Sequence, residues 1–98
     1  MLTGQSILNM LHQSLPDLQL LGVKQVGLYG SYVRGEQHAQ SDIDILVDVD
    51  YDKFAFSRYA EACDLLEGLF AGTKVSIVTK GGLNKMIGPN ILKEVVYA

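Results

Sequence analysis

The sequence predicts an α/β domain of the α+β kind, a small mixed sheet of about three strands with helices on one face. Three observations carry this. Stretches of helical period alternate with short apolar runs, in the order helix, strand, short helix, strand, helix, strand, helix. In the second strand Ile43, Ile45, Val47 and Val49 face one way, while Asp42 and Asp44 face the other. The chain has 98 residues, 48% hydrophobic and 19% charged, which suits a single folded domain over residues 1–98.

The elements follow in chain order. Ile7, Leu8, Leu11 and Leu15 form an apolar stripe of helical spacing, so a helix is expected from about Thr3 to Leu15, capped by Thr3 or Ser6. Pro16 should break or restart it, with a further turn over 17–21 and an end at Gly22. Val23 to Tyr29 is the first strand, with Val26 and Leu28 on one face. Ser31 to Gly35 is a short turn or helix, and Glu36 to Gln40 is a polar reversal. The strand from Asp42 to Val49 should then run antiparallel to the first, which brings Ser31 beside Asp42.

The longest helix is expected from Tyr51 or Asp52 to about Phe70. Phe54, Ala55, Tyr59, Ala62, Leu65, Leu66 and Leu69 form its buried stripe. Lys74 to Thr79 is the third strand. Pro89 suits the first turn of a last helix carrying Ile91, Leu92, Val95 and Val96 to the C-terminus. Helices should cover the face bearing Ile43, Ile45 and Val47, leaving the aspartate face open to a substrate.

Composition excludes several classes. No apolar run approaches the length of a membrane span, and no basic-then-apolar leader opens the chain, which points to the cytoplasm. The single cysteine, Cys63, excludes an internal disulfide and a Cys-rich metal site; it reads as a small core residue. The net charge is −3 and the eight Lys and Arg residues are scattered, which disfavours direct nucleic-acid binding. An apolar last helix on so small a domain leaves pairing with itself or with a partner open.

The chemistry lies between Gly30 and Asp44. Two carboxylates at i and i+2 on a strand repel one another, and packing does not ask for the pair. A divalent cation, a nearby cation or a raised pKa on one member stabilises such a pair, and of divalent cations Mg²⁺ accepts a few carboxylates plus water and phosphate oxygens. Upstream, Gly30 permits close approach to the backbone, and the start of a short helix at Ser31 offers a hydroxyl and free N–H groups to phosphate. Arg34 on the same short helix and Ser41 just before the aspartates are further candidates for nucleotide phosphate. Each also has a plain structural role, as a surface arginine and a loop cap. Tyr29 and Tyr32 flank this stretch and read as packing residues. His12 and His38 lack ligand-spaced partners and read as surface residues.

Gly30-Ser31, ten residues, then Asp42-x-Asp44 resembles the signature of polymerase-β-type nucleotidyltransferases. The fuller run Leu-Tyr-Gly-Ser-Tyr-Val-Arg-Gly, then Ser-Asp-Ile-Asp-Ile-Leu-Val, is similar to the minimal nucleotidyltransferase antitoxins. These small domains are paired with HEPN-domain toxins. The similarity covers nearly the whole chain, including the Val-x-Ile-Val-Thr segment and the closing Ile-Leu-Lys-Glu-Val-Val-Tyr.

The resemblance implies the minimal nucleotidyltransferase fold and transfer of AMP from ATP to a tyrosine of a HEPN toxin. It implies Mg²⁺ as cofactor, with Asp42 and Asp44 as metal ligands and catalytic residues. Gly30 and Ser31 would hold the triphosphate, helped by Arg34 and Ser41. One position departs from the family. A third carboxylate usually stands on the neighbouring strand, where this chain has Ser76 in Val75-Ser76-Ile77-Val78-Thr79. A hydroxyl brings no negative charge and is a poor base. Glu36, Asp48 and Asp50 are the acidic residues to consider as substitutes. The alternative function is therefore a subunit that neutralises its HEPN partner by binding, without turnover.

Overall fold

The computed structural model describes residues 2–50, 56–83 and 88–98. Helix α1 (Gly4–Leu20) opens on a reciprocal cap: the Thr3 hydroxyl accepts from the Ser6 N–H, and Ser6 Oγ accepts from the Thr3 N–H. Pro16 lies inside α1 and does not break it, contrary to the expectation from sequence. The reason is tertiary. Ile7, Leu11 and Leu18 are wholly buried, so the turns on both sides of Pro16 are fixed to the sheet. Burying such side chains stabilises by roughly 1.5–3 kcal/mol each, enough to outweigh the proline.

Strands β1 (Val23–Tyr29) and β2 (Ile43–Val49) pair antiparallel, as expected. Between them lie α2 (Ser31–Arg34), closed by Gly35 in the left-handed conformation, and the polar loop. Helix α3 (Phe56–Leu69) leads to β3 (Val75–Thr79), which pairs parallel to β2. The expected start of α3 at Tyr51 or Asp52, and the side chains of Phe54 and Ala55, lie outside the described residues. A 3-10 turn at Lys80–Gly82 follows.

The C-terminus departs from expectation. Helix α4 (Gly88–Glu94) stops at Glu94, and Val96–Tyr97 forms β4, antiparallel to β1. The sheet therefore has four strands, in the order β3-β2-β1-β4. The sequence Val95-Val96-Tyr97 is β-branched and aromatic, which favours a strand once an unpaired sheet edge is beside it. Gly27 makes room: a Cβ there would stand 2.6 Å from Val95 Cγ2.

The core lies on one face of the sheet. Ile43, Ile45, Val47, Val26 and Leu28 are buried there with Ile7, Leu11 and Leu18 of α1 and Ala62 and Leu66 of α3. The opposite face is not open throughout. Leu46, on the same side as Asp44, is fully buried, and Val95 lies over Gly27, its partner on β1. Leu46 and Val95 thus divide that face, separating the end that carries Asp42, Asp44 and Ser76 from the exposed Gln25 and half-buried Asp48 at the other end.

Candidate active site

Strand register builds the site. Tyr29 is opposite Asp44 on the antiparallel side, and Ser76 is opposite Asp44 on the parallel side. Paired residues share a face, so Tyr29, Asp44 and Ser76 form one row across three strands. Asp42 directly precedes β2 and stays on that face; its carboxylate is 3.9 Å from Lys74 Nζ. Both partners are well exposed, so this ion pair is weak.

Gly30 connects β1 to α2 at φ 81, ψ −154, a backbone conformation that favours glycine. A Cβ at Gly30 would stand 2.2 Å from Asp44 Oδ2. The glycine is therefore required twice, for its dihedral angles and for the closeness of Asp44. Part of the space that Gly30 was expected to leave for a ligand is taken by Asp44 itself. Ser31 follows at the start of α2, where the first N–H groups have no partner within the helix.

The two remaining candidates have protein partners. The Arg34 guanidinium donates through Nε to Glu36 and through Nη1 to Glu94. Ser41 Oγ accepts from the His38 N–H at 2.9 Å, so its hydroxyl closes the polar loop. Glu94 was missed in the sequence. Besides Arg34 it accepts the Gly30 N–H at 2.9 Å. In the sequence it stands within the closing Ile-Leu-Lys-Glu-Val-Val-Tyr run, 64 positions downstream of Gly30, and a local reading cannot join the two.

Electrostatics set the carboxylates apart. Burial raises Asp44 above the ordinary carboxylate range; neighbouring Asp42 and Glu94 raise it further, and Arg34 offsets part of this. For Glu94, burial acts upward, but the Gly30 N–H and Arg34 hold it below the ordinary range. Tyr29 is raised by burial, then by Asp44 and Glu94.

None of the substitutes considered for the third carboxylate completes the pair. Glu36 is bound to Arg34, and Asp48 is opposite Gln25, about 13 Å along β2 from Asp44. Asp50 lies past the end of β2, where its N–H bonds the Gly22 carbonyl. Among the described residues no three acidic, histidine or cysteine side chains converge on one point. Two oxygen-bearing groups whose ionised forms repel still suit Mg²⁺, which fills its remaining positions with water and phosphate.

Cys63, Tyr32 and Tyr59 stay outside this chemistry. Burial raises the Cys63 thiol, which suppresses the reactive thiolate. Tyr32 is buried in the core, and Tyr59 packs against it. No helix among the described residues is long and apolar enough to cross a membrane.

Comparison with known proteins agrees with this geometry. The nucleotidyltransferase domain family matches residues 8–98. The chain is 39% identical over 98 residues to the protein adenylyltransferase MntA of Thermococcus cleftensis, covering 99% of this chain and 97% of that protein. A solved structure assigned as a minimal nucleotidyltransferase superposes with a TM-score of 0.79 at 27% identity, covering 97% of this chain and 95% of the other. A toxin–antitoxin crystal structure with AMP-PNP shares the fold, with a TM-score of 0.64 at 23% identity, over 98% of this chain and 72% of the other. The chain is a member of the nucleotidyltransferase domain family and has the minimal nucleotidyltransferase fold.

Proposed function

We propose that this chain is a protein adenylyltransferase antitoxin acting in the cytoplasm. It transfers AMP from ATP to a tyrosine hydroxyl of a HEPN-domain toxin. The observation that carries this reading is the Asp42–Asp44 pair beside the Gly30-Ser31 turn, with Asp44 against the Gly30 backbone. The similarity to MntA supports the substrate class.

In the proposed reaction the tyrosine oxygen attacks the α-phosphorus of ATP. The bond from that phosphorus to the β-phosphate bridging oxygen breaks, pyrophosphate leaves, and the hydroxyl proton passes to solvent. Gly30 lets the triphosphate approach the backbone, and the seat itself is formed by the N–H groups that open α2 and by the Ser31 hydroxyl, the Gly30 N–H being held by Glu94. Arg34 and Ser41 support that seat, Arg34 by its charge and Ser41 by closing the loop before Asp42. Asp42 and Asp44 would hold Mg²⁺, which when bound offsets the triphosphate charge and makes the attacking hydroxyl more acidic.

A second reading is favoured by one observation. Ser76 occupies the position beside Asp44 where a third carboxylate would complete the site. In this reading the chain silences its partner by burial alone. Pyrophosphate release separates the two. With the HEPN partner, ATP and Mg²⁺ present, the transferase reading expects steady release that stops in Asp42→Asn; the binding reading expects a stable complex and no release.

A further inference from the structure

Glu94 has no part in the reaction as drawn, yet both of its carboxylate oxygens are bound to the proposed phosphate seat. Oε2 accepts the Gly30 N–H at 2.9 Å, and Oε1 accepts from Arg34 Nη1. The β1–β4 register accounts for the first contact. The Ala98 N–H donates to the Val26 carbonyl, and Leu28 pairs with Val96. Two residues further along each strand, Gly30 comes opposite Glu94. A continued ladder would send the Gly30 N–H to the Glu94 main-chain carbonyl. Glu94 belongs to the last turn of α4, so its side chain supplies the acceptor instead.

We propose that Glu94 is a positioning residue for nucleotide binding. Its carboxylate closes the final rung between β1 and the C-terminal segment. That fixes Gly30 at the φ that clears Asp44, and it pins Arg34 at the other end of α2. Glu94 thus holds both ends of the four-residue helix that carries Ser31. Direction argues against a carboxylate that merely fills a phosphate's place. The β4 segment and β2 flank β1 on opposite sides. The Gly30 N–H points to the Glu94 side, whereas Asp44 and the row with Ser76 lie on the β2 side.

This inference rests on the nucleotide reading above. Its test uses the full chain with ATP and Mg²⁺, comparing wild type, Glu94→Gln and Glu94→Ala. Three quantities are read: ATP affinity by calorimetry, KM and kcat with the HEPN partner, and the Gly30 amide signal by NMR without nucleotide. Glutamine keeps an oxygen for the Gly30 N–H; alanine keeps nothing. The expected result for Glu94→Ala is a displaced Gly30 amide and an ATP Kd and KM raised about tenfold or more. Glu94→Gln should leave the Gly30 amide near its wild-type position and recover most of that affinity. A purely structural role would lower the active fraction and so kcat, leaving KM in place, and would overturn the proposal. Tighter ATP binding by Glu94→Ala would also overturn it, since a carboxylate occupying the seat would then be the better account. A wild type that binds no ATP would overturn the nucleotide reading and this inference with it.

Discussion

Asp44 and Ser76 are direct partners across the parallel ladder between β2 and β3, with side chains on the same face. A carboxylate at 76 would therefore stand beside Asp44 without any change of backbone. We expect Ser76→Asp to raise affinity for Mg²⁺ and to increase AMP transfer at least several-fold, since it adds a ligand and a base. Without divalent cation the same variant should melt below wild type, because a third acidic group joins Asp42 and Asp44. Melting curves with and without Mg²⁺, beside initial rates, check both halves.

Gly30 admits no side chain. Alanine at φ 81 is strained, and its Cβ would meet Asp44 Oδ2 at 2.2 Å. Gly30→Ala should lower stability by roughly 1–3 kcal/mol and abolish nucleotide binding. Chemical denaturation and calorimetry with ATP report the two effects separately.

The acidity of Asp44 gives a pH dependence with a definite sign. Its carboxyl is raised in the folded state, by burial first and Asp42 next. Folding then favours the protonated form, so stability is highest in acid and falls as pH rises through the folded value. Asp44→Asn should accordingly melt above wild type at neutral pH in metal-free buffer, with the gap closing in acid. Mg²⁺ should narrow the gap by stabilising wild type alone. Glu94 runs the other way: its lowered carboxyl contributes above the ordinary carboxylate range and loses that contribution as pH falls. Melting temperatures of wild type, Asp44→Asn and Glu94→Gln across pH test both signs.

Pro16 is carried in α1 by the burial around it rather than by its own preference. Pro16→Ala restores one N–H to the helix and removes a clash with the preceding turn. We expect a gain of about 1 kcal/mol, less than the full helix penalty because alanine also frees the unfolded chain. Thermal melting of the variant checks the direction.

Much of this could be read from sequence because it is local. Alternation in Ile43–Val49 gave the strand, its buried face and the facing of Asp42 and Asp44. The Gly30-Ser31 turn and the short helix after it were equally legible. What escaped depended on distant partners. Val96–Tyr97 is a strand only because β1 offers an edge, and the helical spacing of Ile91, Leu92 and Val95 hid it. Glu94 matters only because that strand brings it opposite Gly30. Pro16 misled for the same reason: propensity favoured a break, and packing from Ile7 to Leu18 overrode it.

The most direct measurement is the intact mass of the HEPN partner after incubation with this chain, ATP and Mg²⁺. The transferase account predicts a gain of whole AMP units on the partner, absent in Asp42→Asn and when Mg²⁺ is withheld. A partner that stays at its original mass while forming a stable complex would contradict it and leave inhibition by binding alone.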